Sequence, residues 1–217
     1  VHELQKERGQ SAGFIGSKGQ KFAQTLPGQR NDTNDKQAAF AKAYATFEFS
    51  AFDAEFETHA STAVDLIQQL QKMRGRVDAQ SLTVPEMAKY YTGTIGHLLN
   101  VIEEMLRNSS DDKVSKAISG YIAFLQAKER AGQERAMGAG GFGAGKFNTK
   151  VYNRFVQLIS LQKNYFNSFG LYALPEQWDF YKNTLTGPAV NEVDRMRKIA
   201  IASPKTGNTG GVEGGHW

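Results

Sequence analysis

The chain has 217 residues, of which 26 are basic and 22 acidic, giving a formal net charge of +4 at pH 7. Cysteine is absent, which excludes disulfides and thiolate chemistry. Hydrophobic residues make up 40% of the chain and charged residues 22%, as is usual for a globular protein. The charges are too well mixed for an extended nucleic-acid-binding face, and no apolar run approaches the roughly 20 residues that cross a bilayer.

Helical periodicity runs through almost the whole chain, and no segment alternates as a β-strand does. Residues 1–13 predict a first helix. A turn at Leu26-Pro27-Gly28 precedes a long helical stretch that continues to Gly75. Aromatic residues recur within it at helical spacing, which indicates packing in a core. They are Phe40, Tyr44, Phe47, Phe52 and Phe56.

The next helix begins at a clear signal. Thr83-Val84-Pro85-Glu86 combines a capping box with an early proline. This helix is predicted to end near Asn108, and another follows from Ser110 or Asp111 to about Gly138.

A glycine-rich stretch, Gly138–Gly145, then predicts a turn that ends the helix, because glycine permits positive φ. From Gly140 to Lys146 its spacing matches that of a nucleotide phosphate loop. Such a loop needs a preceding strand and a Ser or Thr after the lysine. Here a helix precedes, and Phe147 takes the second position, so we exclude a nucleotide site.

A further amphipathic helix follows the glycines, and the last long helix begins at Pro175. Gly187-Pro188 should break or kink it before it continues to about Ala202. We expect residues 203–215 to form a glycine-rich loop before a final helix.

Two parts of the chain carry nearly the same phrase. Residues 7–13 read Glu-Arg-Gly-Gln-Ser-Ala-Gly, and residues 134–140 read Glu-Arg-Ala-Met-Gly-Ala-Gly. Each runs on into a turn rich in glycine and phenylalanine that closes with Lys-Phe, at Lys21-Phe22 and Lys146-Phe147. A repeated arginine can bring two guanidinium groups together, and such a planar, donor-only site suits a small oxyanion.

The two arginines of the phrase are Arg8 and Arg135. Both lie among small residues of their helices, and Ser11 shares a face with Arg8. In the simplest alternative each arginine pairs with a glutamate at a helix surface. Glu7 and Glu134, however, lie about 100° around the helix from their arginines, so they need not neutralise them. Burying two cations together is costly unless an anion joins them.

Three ordered motifs are Leu4–Gly13, Tyr90-Tyr91-Thr92 and Lys128–Ala136, and a closing stretch covers Arg195–Trp217. They resemble the motifs of NIT domains, the nitrate- and nitrite-sensing modules of bacteria. The resemblance covers essentially the whole chain. It implies an all-α fold of two packed antiparallel helical bundles, with residues 1–217 forming a single sensor domain from a longer receptor.

The resemblance also implies a ligand, nitrate or nitrite, recognised by one arginine from each motif. Those positions match Arg8 and Arg135. Tyr91 and Thr92 are further candidates, as hydroxyl donors to the same anion or as contacts between helices, and Ser11 is a third. We expect no catalytic residues, no metal and no cofactor, because the four histidines are scattered and no carboxylate–histidine motif occurs.

NIT domains often lie between the two transmembrane helices of chemoreceptors and sensor kinases. We therefore expect the periplasmic domain of an inner-membrane receptor, such as a methyl-accepting chemotaxis protein, attached through segments outside residues 1–217. Nitrate should draw the helices of Arg8 and Arg135 together and transmit a shift across the membrane. We also expect a homodimer without direct nucleic-acid contact.

Two alternatives remain. The chain could belong to a cytoplasmic, nitrate-responsive regulator of an RNA-binding antiterminator. It could also be a helical dimerisation module that binds no small ligand.

Overall fold

The computed structural model describes residues 1–217, except that the side chain of Ala51 is left out of the description. The predicted all-α class is confirmed, and no strand occurs in the part of the chain that the structure describes. The helices are α1 (His2–Gly16), α2 (Leu26–Ala45), a 3-10 turn (Phe49–Ala51), α3 (Ala54–Gln68), α4 (Leu70–Asp78), α5 (Val84–Arg107), α6 (Asp112–Gly143), α7 (Thr149–Tyr172), α8 (Pro175–Thr184) and α9 (Pro188–Thr206).

The chain divides into two compact units, Val1–Ile118 and Ser119–Trp217. In the first unit, α5 packs against both α1 and α3, and α1 also packs against α2. Helix α5 begins where the sequence predicts it, because Thr83 and Glu86 form the capping box. Its inward face supplies much of the core of this unit, with Met87, Tyr91 and Ile95 all fully buried.

The aromatic series of α2 and α3 is less buried than the sequence predicts. Phe56 lies in the core, whereas Phe40, Tyr44 and Phe52 are half-buried and Phe47 is 36% exposed. The rings pack on one another where α2 gives way to α3. They therefore form a partly exposed cluster at the junction of α2 and α3, and only Phe56 reaches the core.

In the second unit, α7 packs against α9 around a core that also receives the end of the chain. Phe142, Phe155 and Met196 are buried together, with Val212 and Trp217 packed against them. The predicted break before α9 is present. The backbone at Gly187 has φ +100°, which glycine adopts without strain.

The glycine-rich stretch is mostly helical, contrary to the predicted turn. Helix α6 continues to Gly143, and only Gly145 in this stretch has positive φ. A Cβ at Gly138 would lie 2.2 Å from the ring of Trp217, and one at Gly141 would lie 2.3 Å from the ring of Phe147. These glycines therefore allow aromatic rings to approach the helix closely. This is a second use of glycine, besides its tolerance of positive φ.

The glycine-rich loop after α9 also begins later than the sequence predicts. Ser203–Thr206 belong to α9, and the loop begins at Gly207, where φ is +70°. Thr209 and Val212 are buried within it. Across the described part of the chain, no helix combines the length and apolar character that crossing a bilayer requires.

Candidate functional site

The glutamate of the first phrase is held by an arginine from another helix. Glu7 is fully buried, and Arg74 on α4 binds its carboxylate with two hydrogen bonds, Nε to Oε1 at 2.8 Å and Nη2 to Oε2 at 2.9 Å. A third bond to Oε1, at 2.8 Å, comes from the hydroxyl of Tyr91 on α5. Arg74 also donates to Asn34 at 2.6 Å. The buried carboxylate is thus fully partnered, as a buried charge must be.

The glutamate of the second phrase is held in the same way. Glu134 is 2% exposed, and Arg197 on α9 binds it through Nε to Oε1 and Nη2 to Oε2, both at 2.7 Å. Gln162 on α7 donates to the same carboxylate. The paired residues are 67 positions apart in the first unit and 63 in the second. The repeated phrase therefore marks a repeated buried ion pair.

Arg8 lies beside the first of these pairs, at the contact of α1 with α5. Arg8 is 7% exposed, and its Nη1 donates to Oγ1 of Thr92 at 2.8 Å. Glu7 contacts Tyr91, and the next residue on α1 contacts the next residue on α5. The carboxylate of Glu7 and the guanidinium of Arg8 therefore bond to successive residues of α5 in the same helix contact.

Ser11 completes the group in the first unit. Its hydroxyl is fully buried and makes no hydrogen bond of good geometry, although it lies close enough to the Tyr91 hydroxyl to lower the pKa of that phenol. Four of the five predicted site residues, Arg8, Ser11, Tyr91 and Thr92, thus meet where α1 contacts α5.

The fifth, Arg135, lies in the second unit and presents an exposed side chain. Among the described residues its guanidinium has no hydrogen bond or ion pair, and its carbonyl accepts from Nε1 of Trp217 at 3.0 Å. The two arginines of the phrase thus differ in burial, while their glutamates do not.

Burial and charge set the protonation states around Glu7. Burial raises the pKa of Tyr91, and the charge of Glu7 raises it further, so the phenol stays protonated and donates. Burial alone would lower the pKa of Arg74, but its hydrogen bonds to Glu7 and the charge of that carboxylate together raise it. The hydrogen bond to Glu134 likewise raises the pKa of Arg197. Both arginines therefore carry their full charge.

Sequence reasoning missed Arg74 and Arg197. Each lies in a short basic run, Lys72–Arg76 or Arg195–Lys198. The first run lies near the C-terminal end of α4, where the helix dipole favours cations, whereas the second lies in the middle of α9. The signal that could have identified them is their similar spacing, 67 and 63 residues after the two glutamates. Among the described residues no group of histidines and carboxylates has the arrangement of a metal site.

Comparison with known proteins gives three matches. A family model described as nitrate and nitrite sensing, NIT, matches residues 1–217. The nitrate regulatory protein of Klebsiella oxytoca is 30% identical over 203 residues, covering 92% of this chain and 50% of that protein. The solved structure of the NasR transcription antiterminator superposes with a TM-score of 0.85 at 26% identity, covering 92% of this chain and 53% of that one. This chain therefore spans about half the length of both relatives.

These relatives correct the expectation that the chain belongs to a membrane receptor. The motif resemblance to nitrate- and nitrite-sensing domains is confirmed. The expectation of a periplasmic, inner-membrane chemoreceptor or methyl-accepting chemotaxis protein that passes a helix shift across a membrane is wrong. The relatives that match along 92% of the chain are a nitrate regulatory protein and a transcription antiterminator. The motifs describe the sensing module alone, so they did not distinguish a receptor from a regulator.

Proposed function

This chain belongs to the nitrate- and nitrite-sensing (NIT) family, and we propose that it is the nitrate-binding input region of a transcription antitermination regulator. In this proposal Arg8 and Arg135 bind the anion, and the bound state controls an output region elsewhere in the protein. The relatives, one named as a nitrate regulator and the other as an antiterminator, support the regulatory part. The chain acts as a sensor and not as an enzyme.

The binding proposal is supported by the hydrogen-bond partners of the two glutamates of the phrase and of Arg8. In both units the acidic residue of the phrase is bound by a different arginine, Arg74 or Arg197. Arg8 donates to the hydroxyl of Thr92 at the contact of α1 with α5. A guanidinium beside a hydroxyl offers several donors to a planar oxyanion, so Arg8 and Thr92 form the core of the proposed site in the first unit.

The remaining predicted residues take different parts in this proposal. The Tyr91 hydroxyl donates to Glu7, so we assign it to holding that carboxylate. Ser11 is buried near Tyr91 and remains a candidate hydroxyl donor. Arg135 is exposed, which leaves its guanidinium accessible to a ligand.

Calorimetry with nitrate, nitrite and chloride tests the binding proposal. A charge-assisted hydrogen bond contributes roughly 1.5–3 kcal/mol, so Arg8→Ala and Arg135→Ala should each weaken nitrate binding at least about tenfold. Arg76→Ala removes an equal charge from an exposed position of the first unit and serves as the control. If neither Arg8→Ala nor Arg135→Ala changes the affinity, the assignment is wrong. If the wild-type chain binds none of these anions, the helical dimerisation module is the better interpretation.

The regulatory part requires the full-length protein. Nitrate should increase transcription through a terminator in a purified system, and Arg8→Ala should abolish that response while leaving the level without nitrate unchanged. The isolated region 1–217 should not shift RNA in a gel, because its charges are well mixed. Read-through that is independent of nitrate in the wild-type protein would contradict the proposal.

We also propose a homodimer in which the N-terminal and C-terminal helices lie near the symmetry axis. Sedimentation equilibrium with and without nitrate tests it, and a single monomeric species at high concentration under both conditions would argue against it.

A further inference from the structure

Arg135 lies just before the part of α6 that has the least tendency to be helical. It is followed by Gly138, Gly140, Gly141 and Gly143 before the helix ends. Glycine loses more conformational freedom in a helix than any other residue, and the local sequence predicts a helix end near Gly138. Because α6 nevertheless continues to Gly143, this part of the helix depends on contacts from elsewhere in the fold.

The closing segment of the chain supplies such contacts. A Cβ at Gly214 would lie 2.6 Å from the carbonyl oxygen of Ala139, and the indole of Trp217 occupies the space beside Gly138. Nε1 of the indole donates to the carbonyl of Arg135 at 3.0 Å. A carbonyl oxygen has two lone pairs, so it can accept from the indole as well as from the helical N–H four residues later. The segment therefore holds the helix turn that follows Arg135.

The position of Trp217 is in turn fixed by its surroundings in the second unit. Its ring lies against those of Phe142 and Phe155, with centroid distances of 5.6 and 5.5 Å. Next to it in the chain, Nε2 of His216 lies 2.8 Å from Oε1 of Glu192 on α9. The core and α9 thus set where the indole meets α6.

We propose that Trp217 is a positioning residue for Arg135, which fixes the helix turn from which this exposed guanidinium reaches the anion. This inference rests on the proposed function, in which Arg135 binds nitrate. A long, exposed arginine loses rotamer freedom when it binds a ligand, and a helix turn that fluctuated would add to that cost. Trp217 therefore raises the affinity for the anion without touching it.

A double-mutant cycle tests the coupling between the two residues. Trp217→Phe keeps an aromatic ring but removes the N–H that donates to the Arg135 carbonyl, and calorimetry measures its nitrate affinity. We expect binding about fivefold weaker than in the wild type, within the range for one neutral hydrogen bond. In the Arg135→Ala background the same substitution should change the affinity by less than about twofold, because the residue that it positions is gone.

Phe147→Leu is the matched control for a loss of packing. The ring of Phe147 covers a glycine of the same helix, since a Cβ at Gly141 would lie 2.3 Å from it, and it also packs against Phe142 and Phe155. It carries no hydrogen-bond donor. Urea unfolding should show a loss of stability in Phe147→Leu, whereas its nitrate affinity should stay within about twofold of the wild type. If Trp217 were only structural, affinity would follow stability in both variants.

The outcomes separate the interpretations. A loss of affinity in Trp217→Phe that disappears in the Arg135→Ala background supports the inference. Unchanged affinity in Trp217→Phe, equal weakening in both backgrounds, or equal weakening in Phe147→Leu overturns it. If Trp217→Phe does not fold, Gly138→Ala displaces the ring and is judged by the same criteria. Failure of the proposed function looks different, because then the wild type does not bind nitrate or Arg135→Ala binds it as tightly as the wild type.

Discussion

The indole ring of Trp217 lies directly on Gly138. A Cβ at this glycine would be 2.2 Å from Nε1 of the indole, and the same N–H donates to the carbonyl of Arg135 at 3.0 Å. The glycine thus lets the end of the chain close against the helix that carries the second site arginine. Phe142 and Phe155 pack on the other sides of the ring.

This relationship predicts opposite effects for two neighbouring glycines of α6. Gly138→Ala should destabilise the protein by about 1–3 kcal/mol, because the new methyl group overpacks the contact with Trp217. Gly140→Ala meets no atom within 4 Å and should stabilise it by about 0.5–1 kcal/mol through helix propensity. Urea unfolding measures both. Equal shifts in the same direction would contradict the role of Gly138.

The buried pair of the first unit predicts a large loss of stability. Arg74→Met leaves Glu7, which is fully buried, without its counter-charge, and should lower the free energy of unfolding by about 3–5 kcal/mol. Arg76→Met, at an exposed position of the same helix, should change it by less than about 0.5 kcal/mol. Chemical denaturation compares the two, and similar small losses would show that the pair contributes little.

The contacts of Glu192 predict that the stability of the protein depends on pH. Hydrogen bonds from Arg195 and then His216 lower the pKa of Glu192 to about 2 from the usual 4.5. Because the folded-state pKa is the lower one, the stabilisation is fully present above pH 4.5 and is lost as the pH falls through about 2. NMR titration of the carboxyl group measures the pKa directly. Arg195→Gln should raise it towards 4.5, and a wild-type pKa already near that value would contradict the contact.

Local signals in the sequence predicted much of the fold. The capping box at Thr83 fixed the start of α5, and Gly187-Pro188 separated α8 from α9. Such signals act within a few residues, so sequence alone can reveal them. The glycine stretch was misassigned because glycine serves both positive φ and close packing. Only the positions of Phe147 and Trp217 distinguish the two uses.

The candidate site was only partly predictable for a similar reason. The repeated phrase singled out Arg8 and Arg135, and Ser11 lies on the same helix face as Arg8. Tyr91 and Thr92 came from a separate motif that resembles NIT domains. The partners of Glu7 and Glu134 lie 67 and 63 residues away, and tertiary packing decides which of several arginines reaches them. For Arg74, whose basic run lies near the end of α4, the helix dipole is a sufficient local explanation, and it hid the longer-range one.

Two conservative substitutions on α5 separate the residues that bind the anion from those that support it. Thr92→Val removes the hydroxyl beside Arg8 at nearly constant volume, and should weaken nitrate binding roughly three- to tenfold, the worth of a neutral hydrogen bond. Tyr91→Phe removes the donor to Glu7, so it should lower the free energy of unfolding by about 1–3 kcal/mol and change nitrate affinity little. Calorimetry gives the nitrate affinity of both variants, and urea unfolding gives their free energies of unfolding. If Tyr91→Phe weakens binding while Thr92→Val does not, the anion lies against the phenol, and the assignment of the two hydroxyls must be reversed.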